Sequence, residues 1–324
     1  MPCFYWENME ILLCLCYNGK RILGVICMKK RRVSLMILVS ILIIWFVIFL
    51  FPRPYNFREE NPLRVFDQKP MLIAHGGGNH EFPDNTLEAF YNAYSVDSNV
   101  MMETDVSITK DGVIILSHDT TLDRKTDLTY AQISEIYYTD LVNNEIDFSF
   151  HNSVEPRSNG YNVSGELIRY VNYLGEEVTP LDVTYPEGVS PRHPTKFLVT
   201  TLEELIRAFP NNYINVEIKQ SGEVGLRALA ETILLLDQLD EEFQTYERII
   251  LASFHHSIYQ ELQKLRDTTH PQLMFSPEAR SVTRFFLLFL LGLDTFCNDE
   301  IAVFQLPMRQ AGFNLATKRL VRIA

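Results

Sequence analysis

The chain has 324 residues, 47% of them hydrophobic, which is ample for one large buried core or two ordinary ones and rules out disorder for the bulk of the chain. Its formal net charge of -12 argues against nucleic acid as a partner, because a protein that grips a phosphate backbone presents a basic face. Residues 1–32 read as a cytoplasmic amino-terminal stretch, and 1–27 as an upstream mis-start, since Met28 followed by Lys29, Lys30, Arg31 and Arg32 is a more ordinary beginning. Residues 33–51 (VSLMILVSILIIWFVIFLF) form an uncharged apolar run of the length a bilayer requires and are predicted to be a transmembrane helix. The basic cluster before it holds its start in the cytoplasm, which predicts a single-pass protein of the cell membrane with everything after Pro52 extracytoplasmic. A cleaved signal peptide is the alternative, disfavoured by the length of the run and the lack of a small-x-small site after it. Only Cys297 follows the apolar run, so the later part has no internal disulfide framework. Residues 52–70, with prolines and mixed charges, are expected to be a linker.

The informative stretch comes next. Met71-Leu72-Ile73-Ala74 leads into His75-Gly76-Gly77-Gly78, which predicts a strand with an imidazole at its carboxyl end and glycines that let a ligand approach the backbone. Pro83-Asp84-Asn85-Thr86 is a helix start, with Asp84 and Asn85 as cap candidates. Residues 100–106 alternate at period two, so Glu103 and Asp105 project from one face of a strand, where they repel unless a cation sits between them. After a Lys110-Asp111-Gly112 turn, Val113 to Ser117 reads as a second strand ending in His118-Asp119. Further strand-like segments at 213–218, 248–253, 272–275 and 302–306 alternate with helical patterns at 201–209 and 224–239, an arrangement that predicts a parallel α/β architecture. Residues 124–195 break that rhythm with polar, Asn-, Tyr-, Gly- and Pro-rich sequence and read as an inserted subdomain, its acids Asp147, Glu155, Asp182 and Glu187 as solvated surface. The apolar run 285–293 is too short to span a bilayer and is expected to be a buried barrel helix.

Strand, His75, glycine, Pro83 to Thr86, Glu103-x-Asp105, Thr109 to Gly112, His118-Asp119 and a later Glu217-Ile218-Lys219 strand stand in an order that resembles the glycerophosphodiester phosphodiesterase family over about residues 70–320. The resemblance implies a (β/α)8 TIM-type barrel over 71–324 with the insertion at 124–195, and, because the chain stops at Ala324, one that lacks its last one or two strand units. It also implies hydrolysis of a glycerophosphodiester or related phospholipid-derived substrate to an alcohol and glycerol 3-phosphate. His75 is the expected base and His118 the expected acid. Three carboxylates and no thiolate suit a hard divalent cation, Ca2+ or Mg2+, held by Glu103, Asp105 and Glu217. Lys219, Gly76 and Asn85 are the expected substrate contacts. Family members usually carry Arg after the first His; Gly76 stands there instead, in a glycine run able to offer backbone N-H groups as an anion nest. A phospholipase-like or polyglycerolphosphate hydrolase, and a noncatalytic membrane-tethered binding module, are the competing readings.

Overall fold

The computed structural model describes residues 10–17, 20–27, 30–50, 71–78, 80–128, 131–157 and 160–293, with 296, 297, 303, 309, 310, 312–315 and 317. The expected linker and most of the expected strand at 302–306 lie outside the described residues. The chain divides into two compact units, Met1–Asn56 with Arg284–Asn298, and Phe57–Thr283 with Asp299–Ala324.

In the first unit β1 (Glu10–Tyr17) and β2 (Lys20–Cys27) form an antiparallel hairpin, in register from Glu10 opposite Cys27 to Tyr17 opposite Lys20. The helix α1 (Lys30–Leu50) follows, and its Trp45 Nε1 donates to the Leu291 carbonyl at 2.7 Å. The expected transmembrane placement is corrected here: among the described residues no helix is long and apolar enough to cross a membrane. The cell-membrane, extracytoplasmic localisation drawn from that helix falls with it.

The second unit is built on β3 (Ile73–His75), α2 (Leu87–Val96), β4 (Met101–Ile108), β5 (Ile114–Leu116), α3 (Tyr138–Asn143), β6 (Phe150–Arg157) and β7 (Gly160–Arg169). It continues through α4 (Leu202–Ala208), β8 (Ile214–Ile218), α5 (Gly222–Phe243), α6 (Thr245–Arg248), β9 (Ile249–Ala252), α7 (His256–Thr268) and β10 (Met274–Phe275). Strands β3, β4, β8, β9 and β10 pair in that order, all parallel, so each neighbour in the sheet is also the next parallel strand in the chain. This is the winding of a barrel wall. The expected strand at 113–117 is β5, but it runs antiparallel against the end of β4 and is not a rung of the parallel ladder.

Alternation sorts the two faces of the ladder. Met102, Val106 and Ile108 of β4, Ile214, Val216 and Ile218 of β8 and Ile249 and Leu251 of β9 join Leu205, Ile206, Leu229 and Leu236 in one buried cluster under the helices. Each such side chain is worth about 1.5–3 kcal/mol of burial. The opposite face starts with an apolar layer of Met101, Ile250 and Met274. Above it, toward the carboxyl ends, the same face carries His75 beside Glu103 beside Asn215, then Asp105 beside Glu217. Helix starts are fixed as their sequences require: Thr86 caps α2 and accepts from the Ala89 amide, and Thr201 with Glu204 forms a capping box on α4.

Within the stretch read as an insertion, β6 and β7 pair antiparallel, and its Ile133, Leu141, Phe148 and Val183 form a second buried cluster with Phe82, Ile115, Leu122, Phe197 and Val199 from outside it. The helix α8 (Ala279–Leu291) buries Phe285 and Phe289 and exposes Leu287 and Leu290; from Arg284 on it belongs with the first unit, which corrects its expected place as a barrel helix.

Candidate active site

Strand β4 outruns its parallel neighbours, and β5 folds back along it so that the Ser117 amide donates to the Asp105 carbonyl at 2.8 Å. That return brings His118 down to the level of the acids on β4. The Gly112 turn that allows it has φ +91°, which a glycine adopts without strain. The hairpin is held in place by Gln220, whose side-chain oxygen accepts from the Ile108 amide at 2.7 Å and whose nitrogen donates to the Ile108 carbonyl at 3.2 Å.

Glu103, Asp105 and Glu217 present one oxygen each, all within 4.8 Å of one another. Burial and the neighbouring Asp105 push the Glu103 carboxyl above its usual range, and burial does the same to Glu217. Lys219 answers this concentration of charge: its Nζ lies 2.9 Å from Asp105 and 3.0 Å from Glu217, with its side chain 17% exposed. Burial would lower the lysine, but Asp105 and Glu217 raise it, so it stays an ammonium. A cation therefore already sits between two of the three carboxylates. The His75 imidazole, 69% exposed, stands at the mouth with Nε2 3.9 Å from Glu103.

His118 is 38% exposed and pairs through Nδ1 with the Asp119 carboxylate at 2.8 Å. That bond, against the effect of burial, raises the imidazole above its ordinary value, and Asp105 adds to the rise. Asp119 in turn is held down to about 2: burial raises it, while the His118 bond and the Arg124 guanidinium outweigh burial.

Two expected substrate contacts are engaged behind the acids. Asn85 is 2% exposed; its amide nitrogen donates to Asp105 at 3.0 Å and to Asp84 at 3.1 Å, and its oxygen accepts from the Thr104 hydroxyl at 2.7 Å and the Asp105 amide at 3.0 Å. The Gly76 amide donates to both the carbonyl and the carboxylate of Glu103, each at 2.9 Å. Gly77 donates to Ala74 and Gly78 to His75, so the anion nest expected of this run is not formed: its N-H groups turn inward to the strand ends. Three further histidines are engaged with other partners. His255 Nε2 lies 3.0 Å from the Lys219 carbonyl, His256 pairs with Glu278 at 2.9 Å, and His193 Nδ1 accepts from the Lys196 amide at 3.0 Å.

The glycerophosphoryl diester phosphodiesterase family matches this chain over residues 75–321. The chain belongs to that family. Its fold is the TIM-type barrel whose wall the parallel ladder supplies. A human protein named lysophospholipase D GDPD1 is 27% identical over 242 residues, 73% of this chain and 60% of the relative. A glycerophosphodiester phosphodiesterase from Caldanaerobacter subterraneus subsp. tengcongensis is 27% identical over 202 residues, covering 61% and 63%. The chain thus spans about three-fifths of the length of these curated relatives. Among solved structures, the glycerophosphoryl diester phosphodiesterase domain of a Mycobacterium tuberculosis protein aligns with 71% of this chain and 67% of its own at 17% identity and a TM-score of 0.46.

Sequence reasoning assembled the acids and both imidazoles but gave no role to Asp119 or Arg124. Asp119 was signalled by its place directly after His118. Arg124 stands at the edge of an irregular polar stretch, where no periodicity marks a charged residue as buried.

Proposed function

We propose that this chain hydrolyses glycerophosphodiesters to an alcohol and glycerol 3-phosphate. The observation that carries the reading is the convergence of Glu103, Asp105 and Glu217 within 4.8 Å, at the carboxyl ends of barrel strands, in a chain of this family. A hard cation, Ca2+ or Mg2+, fits the donor set: three carboxylates, no thiolate, and an ammonium already lodged against two of them. Those three acids would hold the ion, whose chemistry when bound is to neutralise charge growing on the phosphate oxygens.

The remaining steps belong to the side chains. His118, whose hold on its proton Asp119 strengthens, gives that proton to the leaving alcohol oxygen as the P–O bond breaks. His75, at the mouth, takes the proton of the attacking hydroxyl, of water or of the substrate's own glycerol, and in the second case water then opens the cyclic phosphate to glycerol 3-phosphate. Such acid-base assistance is worth about 10^2- to 10^4-fold. Lys219 supplies the positive charge toward phosphate that Gly76 cannot. Gly76 and Asn85 act by holding Glu103 and Asp105.

The test measures glycerol 3-phosphate release from glycerophosphocholine and polyglycerolphosphate, and choline release from lysophosphatidylcholine, in the presence and absence of EDTA. Lysophosphatidylcholine is included because the human relative is named a lysophospholipase D. Activity is expected to vanish with EDTA and in His75→Ala and His118→Ala. Full turnover in either variant or under chelation overturns the mechanism, and metal binding without turnover of any substrate identifies a noncatalytic module instead.

A further inference from the structure

From Arg124 a continuous path of polar contacts runs in both directions. Its Nε donates to Asp119, the carboxylate that holds His118. Its Nη1 and Nη2 grip both oxygens of Asp84 at 3.3 and 3.2 Å. Asp84 accepts from Asn85, and the same Asn85 nitrogen donates to Asp105. A single guanidinium, 20% exposed, therefore stands between the residue holding the proposed acid and the residue pair holding a proposed metal ligand.

The partners leave Arg124 little freedom. Asp84 is also bound by Lys125, whose ammonium donates to the Asp84 carbonyl and lies 3.6 Å from its carboxylate. Burial alone would raise the Asp84 carboxyl, yet Lys125 and Arg124 hold it well below the usual carboxylate range. Lys125 could neutralise Asp84 without help. What Lys125 does not do is touch Asp119, and a fork that engages two carboxylates at fixed angles is what a guanidinium provides and an ammonium does not.

We propose that Arg124 is a positioning residue that couples His118 to Asp105, fixing the Asp119 carboxylate on the imidazole and the Asp84-Asn85 turn on the metal ligand at once. The proposal rests on the reading of the site as a phosphodiesterase centre. The groups that face His118 are Asp119 and, through space, Asp105, Glu217 and Lys219. Of the cations on the path, Arg124 is the one that hydrogen-bonds Asp119, while Lys125 adds only a longer-range charge.

Arg124→Met and Arg124→Lys in the full chain test this. Arg124→Met is expected to lower kcat by about 10- to 100-fold with KM within twofold, the range typical when the support of a site residue is lost. It should also shift the alkaline limb of the pH–rate profile and the His118 imidazole titration, followed by NMR on metal-free protein, to higher pH, because Asp119 then acts on the ring without its counter-charge. Arg124→Lys keeps the charge and loses the fork, so the titration should stay in place while kcat is only partly restored. Wild-type kcat in both variants, or an unmoved His118 titration in Arg124→Met, overturns the coupling. Should Arg124→Met fail to fold, Arg124→Lys decides alone: a reduced kcat at an unchanged limb supports it, and wild-type kcat overturns it. A wild-type chain without turnover defeats the phosphodiesterase reading instead, and the NMR titration still judges the coupling of Arg124 to His118.

Discussion

His118 shows how one neighbour sets the working state of a catalytic group. Its bond to Asp119 raises the imidazole above its ordinary value despite burial, so the acid form persists to higher pH than in an isolated histidine. Asp119→Asn removes the charge and keeps the shape. The alkaline limb of the pH–rate profile is therefore expected to move to lower pH, with kcat down by about 10- to 100-fold. The stability sign follows from the same shift: a histidine raised in the folded state contributes stability fully present below its unfolded value near 6.5 and lost as pH rises through the folded one. Melting curves of the wild type and Asp119→Asn should accordingly differ most between about pH 4 and 6.5, where Asp119 is ionised and the imidazole charged, and the gap should narrow at higher pH without closing, because the Arg124 pair is lost as well; a gap that widens as pH rises above that window would refute the assignment. The residue types at the site were legible because His75, Glu103, Asp105 and His118 stand in a recognisable order. Where Gly76 and Asn85 direct their polar groups was not, since sequence names a donor without naming the acceptor that folding brings to it.

Elements decide which of those side chains meet. Alternation on β4 placed Glu103 and Asp105 on one face from sequence alone, and the same rule puts Glu217 there once β8 pairs with β4. The return of β5 is a different matter, because the end of β4 against which it pairs is braced by Gln220, a residue that no local pattern distinguishes. Gln220→Leu leaves the buried Ile108 amide and carbonyl without those partners, at a cost of about 1–3 kcal/mol for each such group. Urea unfolding should record that loss, and kcat should fall as well, because the loosened hairpin is the element that delivers His118. A variant as stable and as active as the wild type would remove Gln220 from the account. The turn at Gly77 is a second such dependence. Its φ is +83°, and a Cβ there would stand 2.9 Å from the Ala89 Cβ on α2. Gly77→Ala is expected to destabilise by about 1–3 kcal/mol, which thermal melts would register. The glycine run was visible in the sequence; that it exists to let α2 pack against the end of β3, and not to cradle an anion, emerged only with the packing.

At the scale of the molecule, parallel strands that each end on one rim concentrate charge where a barrel keeps its site, and this chain gathers three carboxylates there on a background of -12. The order of motifs along the chain made the barrel and its family readable. The apolar run before it was overread: among the described residues no helix is long and apolar enough to cross a membrane. Lys219 closes the charge balance of the rim. With its ammonium 2.9 Å from Asp105 and 3.0 Å from Glu217, a divalent cation approaching the same oxygens must displace it, so part of the binding energy of the ion is spent in breaking two ion pairs. Lys219→Met removes both the competitor and the counter-charge. Without added metal it should be less stable than the wild type by on the order of 1–3 kcal/mol, less than a fully buried pair would lose because Lys219 keeps 17% of its exposure. Added Ca2+ should then raise its melting temperature by more than it raises that of the wild type, since binding stabilises in proportion to ln(1 + [L]/Kd) and Kd has fallen. Calorimetric titration gives the same comparison directly. An equal or smaller calcium increment in Lys219→Met would mean that the ammonium and the ion do not compete for the Asp105 and Glu217 oxygens.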